Sequence, residues 1–178
     1  MAADGITVKL EGLGELRRAL AALPDKLRRR ALVTIMRAGG RVVQKAARAA
    51  VPVLTTPSAY RTRGLLKKKL SVRVSKQDRR AGDVGVFVNV KPLKNGGAKN
   101  PLDPYYWRFV AFGTKAHAIK PKTASGLSFG GRVVRMVKHP GSKPRNFLEA
   151  GAAVLPAALD AIQRAAVPAI EKLNKRGA

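Results

Sequence analysis

Cysteine is absent from this chain of 178 residues, which excludes disulfides, thiolate metal sites and cysteine nucleophiles together and fits a reducing compartment. Histidine is scarce. His117 and His139 lie in Gly- and Pro-rich basic stretches, with neither HxxxH nor HExxH spacing. They read as solvent-facing or hairpin-stabilising residues. Acids are few as well, with 10 Asp and Glu against 36 Lys and Arg. Glu11 and Glu15 read as first-turn helix acids, and Asp160 and Glu171 as residues of a polar helix face. The GLG at 12–14 lacks the remaining glycine and lysine of the phosphate-loop patterns. Catalysis needs convergent titratable groups, so composition speaks against an enzyme, and no cofactor or metal is expected. No stretch approaches the roughly 20 apolar residues of a membrane span, and no membrane partner is expected. The opening MAADGITVKLEGLGEL carries acids and no long apolar run, so no secretory signal is expected.

What is present is positive charge, and its placement is informative. The formal net charge is +26, with no Asp or Glu between Asp25 and Asp78 or between Asp103 and Glu149. Such stretches repel themselves and suit a negative partner: phosphate, an acidic protein surface or an anionic membrane. Hydrophobic residues make up 46%, well above a disordered basic tail, so the chain is expected to fold and to carry its charge outside. Composition favours a binding or assembly protein.

Along the chain, Ile6, Val8 and Leu10 alternate with polar residues as in a half-buried strand. Leu13, Leu16, Leu20 and Leu23 then take helical spacing until Pro24. Segment 26–50 reads as a long helix that Asp25 caps and Pro52 ends. Ala31, Ile35, Ala38, Val42, Ala46 and Ala49 fall on one apolar arc, with Lys26, Arg30, Arg37, Arg41, Lys45 and Arg48 on a separate arc beside it. Gly39-Gly40 in mid-helix costs about 1 kcal/mol per glycine relative to Ala, and either a close neighbouring backbone or a bend would explain it. The one-sign arc, without acids at i,i+4 to pair it, makes those six cations the candidate contact for DNA or an acidic protein.

Residues 54–64 read as loop. A strand is expected through Leu70, Val72 and Val74, then a polar turn over 77–82, then a strand over 84–90 as its hairpin partner. Lys91 to Pro104 reads as an exposed loop. The run YYWRFVAFGT at 105–114 reads as an apolar strand whose clustered aromatics serve core packing. A short strand follows over 132–137, and a second long helix over about 145–175 with an apolar stripe of Leu148, Leu155, Leu159, Ile162, Ala166, Ile170 and Leu173. Pro156 and Pro168 are expected to bend or divide it. With no internal repeat or low-complexity linker, the reading is one α+β domain over 1–178, an antiparallel sheet packed against two long helices, with a frayed tail at 174–178.

Two motifs carry a family resemblance. Tyr106, Val110, Phe112, Gly113 and Thr114, followed by a basic segment and then His139, Pro140, Gly141, Pro144, Phe147 and Leu148, resemble the tail-completion or head–tail joining proteins of long-tailed, lambdoid-type bacteriophages. The opening ITVKLEGLGELRRAL and the basic helix after it are similar too, so the resemblance runs from about Ile6 to Ala152. The family pattern has Glu before Phe-Gly-Thr, Pro before Phe-Leu and Arg-Pro-Ala after it; this chain has Ala111, Asn146 and Glu149-Ala150-Gly151.

The resemblance implies a small α+β subunit of a homo-oligomeric ring, expected to be sixfold, at the virion neck between the portal or connector and the tail tube. The resemblance further implies that the ring is assembled in the host cytoplasm and that any contact it makes with packaged DNA is non-specific. It implies that 115–138 forms a long basic hairpin arm, with Lys115, Lys120, Lys122, Arg132, Arg135 and Lys138 as arm or inter-subunit contacts. Gly113 would allow a tight turn, and Pro144, Phe147 and Leu148 would anchor the last helix. Two alternatives stand beside it: a basic nucleic-acid-binding protein, and a tail terminator capping the tail tube.

Overall fold

The computed structural model describes the chain outside residues 1–17, 19, 22, 57–60, 81–82, 99, 122–125, 130 and 178, and side chains outside 79–80, 129 and 173–177 as well. The strand expected at Ile6–Leu10 lies outside the described residues. The elements in order are α1 (Asp25–Ala50), α2 (Leu65–Lys69), β1 (Leu70–Val74), α3 (Lys76–Arg80), β2 (Val86–Val90), α4 (Trp107–Phe112), β3 (His117–Ile119), β4 (Leu127–Phe129), β5 (Arg132–Val134), β6 (Val137–His139), α5 (Phe147–Ala152) and α6 (Leu155–Gly177). The fold is α+β, as expected from the sequence. Among the described residues the strands form three two-stranded sheets, β1–β2, β3–β6 and β4–β5, in place of the one sheet expected. The chain groups into two compact units, one of Met1–Gln44, Val72–Val88 and Ala153–Ala178, the other of Lys45–Ser71 and Asn89–Ala152.

In the first unit, Leu20, Ala31, Ile35, Ala166 and Ile170 form a buried cluster flanked by Leu23, Leu32, Ile162 and Ala169. Helix α1 lies against α6 here, and the two mid-helix glycines are the reason it can. A Cβ at Gly39 would sit 2.7 Å from Ile162 Cγ1 and 2.8 Å from the Ala158 carbonyl; one at Gly40 would sit 2.6 Å from Val72 Cγ1. Close approach of neighbours on two sides therefore accounts for the Gly-Gly pair. It also moves the buried face: Gly39, Gly40 and Ala47 are buried, whereas Ala38, Val42 and Ala46 are half-buried and Ala49 is exposed. The apolar arc drawn from the 100° period captured Ala31 and Ile35 and missed the glycine side, because glycine carries no hydrophobic signal.

The second long helix is divided, as its prolines suggest. The break falls at residues 153–154, and Pro156 then lies in the first turn of α6, where a missing N–H has no intrahelical partner to lose. Pro168 is tolerated inside α6, which runs to Gly177, through most of the segment read as a tail. Asn146 stands just before α5 and donates from Nδ2 to Glu149 Oε1 at 2.7 Å. That link ties the position before the helix to its third residue, whose amide also donates to the Asn146 carbonyl at 3.2 Å.

In the second unit the buried apolar residues include Ala47, Val51, Leu65, Leu66, Leu70, Val90, Tyr106, Trp107, Ala111 and Phe147. Three readings are corrected here. The segment leading to Leu70 forms the short helix α2, which buries Leu65 and Leu66. The polar turn after β1 contains the helix α3. The run at 105–114 is helix α4, not a strand. Aromatic content favours a strand, but Trp107 and Ala111, four apart, are the pair α4 buries, and Gly113 ends the helix. As a consequence Phe109 and Phe112 stand exposed at 53% and 61%, so only Tyr106 and Trp107 of this cluster serve the core. The loop after β2 is mostly exposed, yet Asp103 and Pro104 are fully buried. Asp103 accepts a hydrogen bond from the Leu93 amide at 3.1 Å and so closes the loop on itself.

Candidate functional site

Helix α1 carries all six cations predicted for its basic face. Lys26, Arg30, Arg37, Arg41, Lys45 and Arg48 are each exposed, and at 1.5 Å per residue they span about 33 Å of helix. Arg48 also donates to the Leu70 carbonyl at 3.1 Å. The acid on α1, Asp25, pairs with Arg28, outside the predicted face. The six predicted positions therefore make a face of one sign, set by helical periodicity and exposed along its length.

The predicted arm is a hairpin in two ladders. His117, Ala118 and Ile119 pair with His139, Lys138 and Val137; Leu127, Ser128 and Phe129 pair with Val134, Val133 and Arg132. The first ladder ends at the Ile119–Val137 pair and the second begins at the Leu127–Val134 pair, so the described pairing is in two separate stretches. Lys115, Lys120, Arg132, Arg135 and Lys138 are exposed; Lys122 lies outside the described residues. Val133, at 76% exposed, and Met136, at 41%, are uncovered as well. The arm thus presents apolar side chains among cations.

The two sequence motifs meet at the root of this arm. Thr114 and Ser142 exchange both backbone hydrogen bonds, at 3.0 and 3.1 Å, and their hydroxyls lie 3.1 Å apart. One residue before that bridge on each strand, the chain needs glycine. Gly113 has φ +72° and Gly141 φ +87°, where an L side chain is strained. A Cβ at Gly113 would collide with the Ser142 carbonyl, and one at Gly141 with the Thr114 carbonyl. The Arg145 amide donates to the Val110 carbonyl at 2.9 Å, which joins the second motif to α4. Of the remaining motif residues, Tyr106 and Phe147 are buried and Val110 and Leu148 half-buried, while Phe112, Pro140 and Pro144 are exposed.

The two histidines face each other across the same ladder. Their rings stack 5.0 Å apart with planes 27° off parallel. His139 Nδ1 accepts from the Gly141 amide at 3.0 Å, and His117 Nδ1 lies 2.9 Å from the Lys115 carbonyl. This is the hairpin-stabilising role. The sequence carried no sign of the stack, because the pairing register sets it. Neither did it mark Asp103, whose burial depends on the loop closing over it. Among the described residues, no helix is long and apolar enough to cross a membrane.

Among the described residues one acid is clearly perturbed, and burial is the main cause. It pushes the Tyr106 phenol above its ordinary value, against the opposing pull of Arg61 and with a further push from Tyr105. The Arg61 guanidinium carbon lies 4.3 Å from the Tyr106 ring centroid.

Comparison with known proteins assigns the chain on its N-terminal and central parts. Neither a curated protein nor a solved structure matches it at a significant level. A family model described as "Bacteriophage HK97-gp10, putative tail-component" matches residues 14–113, more than half of the chain, ending at the glycine that closes α4. The matched segment contains the basic helix and the first motif up to Gly113, whereas Thr114, the arm and the second motif lie beyond it. The chain belongs to the HK97-gp10-like family of bacteriophage tail components.

Proposed function

We propose that this tail component works at the neck of the virion, as a subunit of a sixfold ring that joins the portal or connector to the tail tube. In this role it carries out no reaction and takes no cofactor. The observation that carries the reading is the arm at 114–142, a hairpin that leaves Val133 and Met136 uncovered among exposed cations. Exposed apolar side chains on a two-stranded ribbon gain their burial from a neighbour, and a closed ring supplies the same neighbour to every subunit. The single-sign face of α1 then meets acidic neighbours or the packaged DNA. The ring is assembled in the host cytoplasm before it enters the virion.

The test is electron microscopy of lysates from the phage with this gene interrupted by a nonsense codon. Filled heads apart from finished tails are the expected result. Overlong tails would instead make the protein a tail terminator, and normal infectious particles would overturn both readings.

A second reading has its own observation, the six exposed cations along α1. If they track a phosphate backbone, log affinity for duplex DNA falls against log salt with a slope of about −5 for six phosphates. The triple variant Arg37→Glu, Arg41→Glu, Lys45→Glu would then lose DNA binding. For a neck protein the same variant impairs particle assembly, and unchanged assembly removes the basic face from that reading.

A further inference from the structure

The second unit contains an open groove of about 1340 Å³ that neither the basic helix nor the arm's exposed face explains. Its apolar lining is built from separate elements. Leu65 and Leu66 of α2 and Tyr106 are buried residues that still border it, while Val53, Phe109 and Ile119 stand partly exposed along it. Strand β3 and the residue pair before it contribute one face only: Lys115, His117 and Ile119 line the groove, and the intervening Ala116 and Ala118 do not. That is the two-residue period of an extended chain.

Charge around the groove has one sign. Among the described residues, Arg61, Lys115, Lys143 and Arg145 border it and no Asp or Glu does. Arg61 is held in place over the Tyr106 ring, so at least one of these cations is pre-positioned rather than free to turn away. The volume exceeds the 300–1,000 Å³ typical of small-molecule sites, which suits a chain segment better than a metabolite. The lining selects the kind of segment. A phosphate backbone would satisfy the cations and leave the exposed Val53, Phe109 and Ile119 uncovered, whereas a peptide with both acids and large apolar side chains satisfies both.

We infer that this groove is a docking site for an acidic peptide segment of a partner protein, seated by apolar anchors on Phe109 and Ile119 and held by Arg145 and Lys143. This goes beyond the neck reading and does not depend on it, since it concerns what one subunit binds and not where the ring sits.

The test uses the full chain and fluorescence anisotropy at about 300 mM salt, where the Debye length is near 6 Å and general attraction to a +26 protein is screened. The probe is a labelled twelve-residue peptide of repeating Asp-Leu-Glu-Phe. The controls are the same peptide with Ser at every Leu and Phe, and a 20-nucleotide oligo-dT. Binding of the first peptide, weakened about tenfold or more by Lys143→Glu with Arg145→Glu and again by Phe109→Ala with Ile119→Ala, is the expected result. The variant Arg37→Glu with Arg41→Glu, on α1, should bind as the parent does. Arg37 and Arg41 lie outside the groove, all six substituted positions are exposed, and circular dichroism of each variant is the check that the fold is retained. Equal binding of the Ser-substituted peptide, equal loss from the α1 variant, or displacement of the peptide by oligo-dT would each overturn the inference. None of these outcomes bears on the neck reading, which the nonsense-codon phage decides.

Discussion

Thr114 and Ser142 face each other across the base of the hairpin arm, joined by two backbone hydrogen bonds and by hydroxyls 3.1 Å apart. The pair explains why two motifs separated by a long basic segment occur together. Each supplies one half of a clasp, and each brings a glycine whose missing side chain lets the opposite carbonyl approach.

Gly141→Ala and Gly113→Ala should therefore each destabilise the protein, by about 1–3 kcal/mol from the left-handed backbone with a further contribution from the collision. Urea unfolding followed by circular dichroism checks this. An unchanged midpoint for both would mean that the clasp is not held as described.

Gly39→Ala and Gly40→Ala oppose two effects. Helix propensity alone favours alanine by about 1 kcal/mol, whereas a methyl 2.7 Å from Ile162 or 2.6 Å from Val72 overpacks the contact, typically by about 1–3 kcal/mol. Net destabilisation is expected at both sites. A gain in thermal stability would show that α1 is free of its neighbours there.

Asp103→Ala should lower stability by about 1–3 kcal/mol, because it leaves the Leu93 amide without the acceptor that Oδ1 supplies. Asp103→Asn keeps an acceptor oxygen and should recover part of the loss. Equal loss from both variants would assign the effect to charge and not to this hydrogen bond.

The Tyr106 phenol titrates above its ordinary value of 10.0 in the folded chain. A raised pKa means that the folded state binds the proton more tightly, so this contribution is complete below about pH 10 and fades as pH rises through the folded value. Lysines titrate nearby, so the measurement is a difference: denaturation midpoints of the parent and of Tyr106→Phe from pH 8 to 11.5. The gap between them should be flat to about pH 10 and then shift against the parent. A constant gap to the upper limit would show that the phenol is not perturbed.

The α+β class, the long basic helix with its six solvent-facing cations, the β1–β2 pair and the interruption of the last helix near Pro156 were legible in the sequence. Each follows from local rules that residues state directly: a 3.6-residue period, strand alternation, and proline's missing amide. The family was legible too, because short motifs such as Phe-Gly-Thr survive as letters. What the sequence could not disclose depended on contacts between distant residues. Helix α4 takes an aromatic run that local preference assigns to a strand, because Trp107 and Ala111 find burial four residues apart. Gly39 and Gly40 join the packed face because Ile162 and Val72 come to them. Asp103 is buried because its own loop closes, and His117 stacks on His139 because the register aligns them. Charge placement and periodicity are properties of one segment and are written in it. Register, close approach and the groove between α2, α4 and β3 arise only when segments meet, and tertiary packing alone decides those.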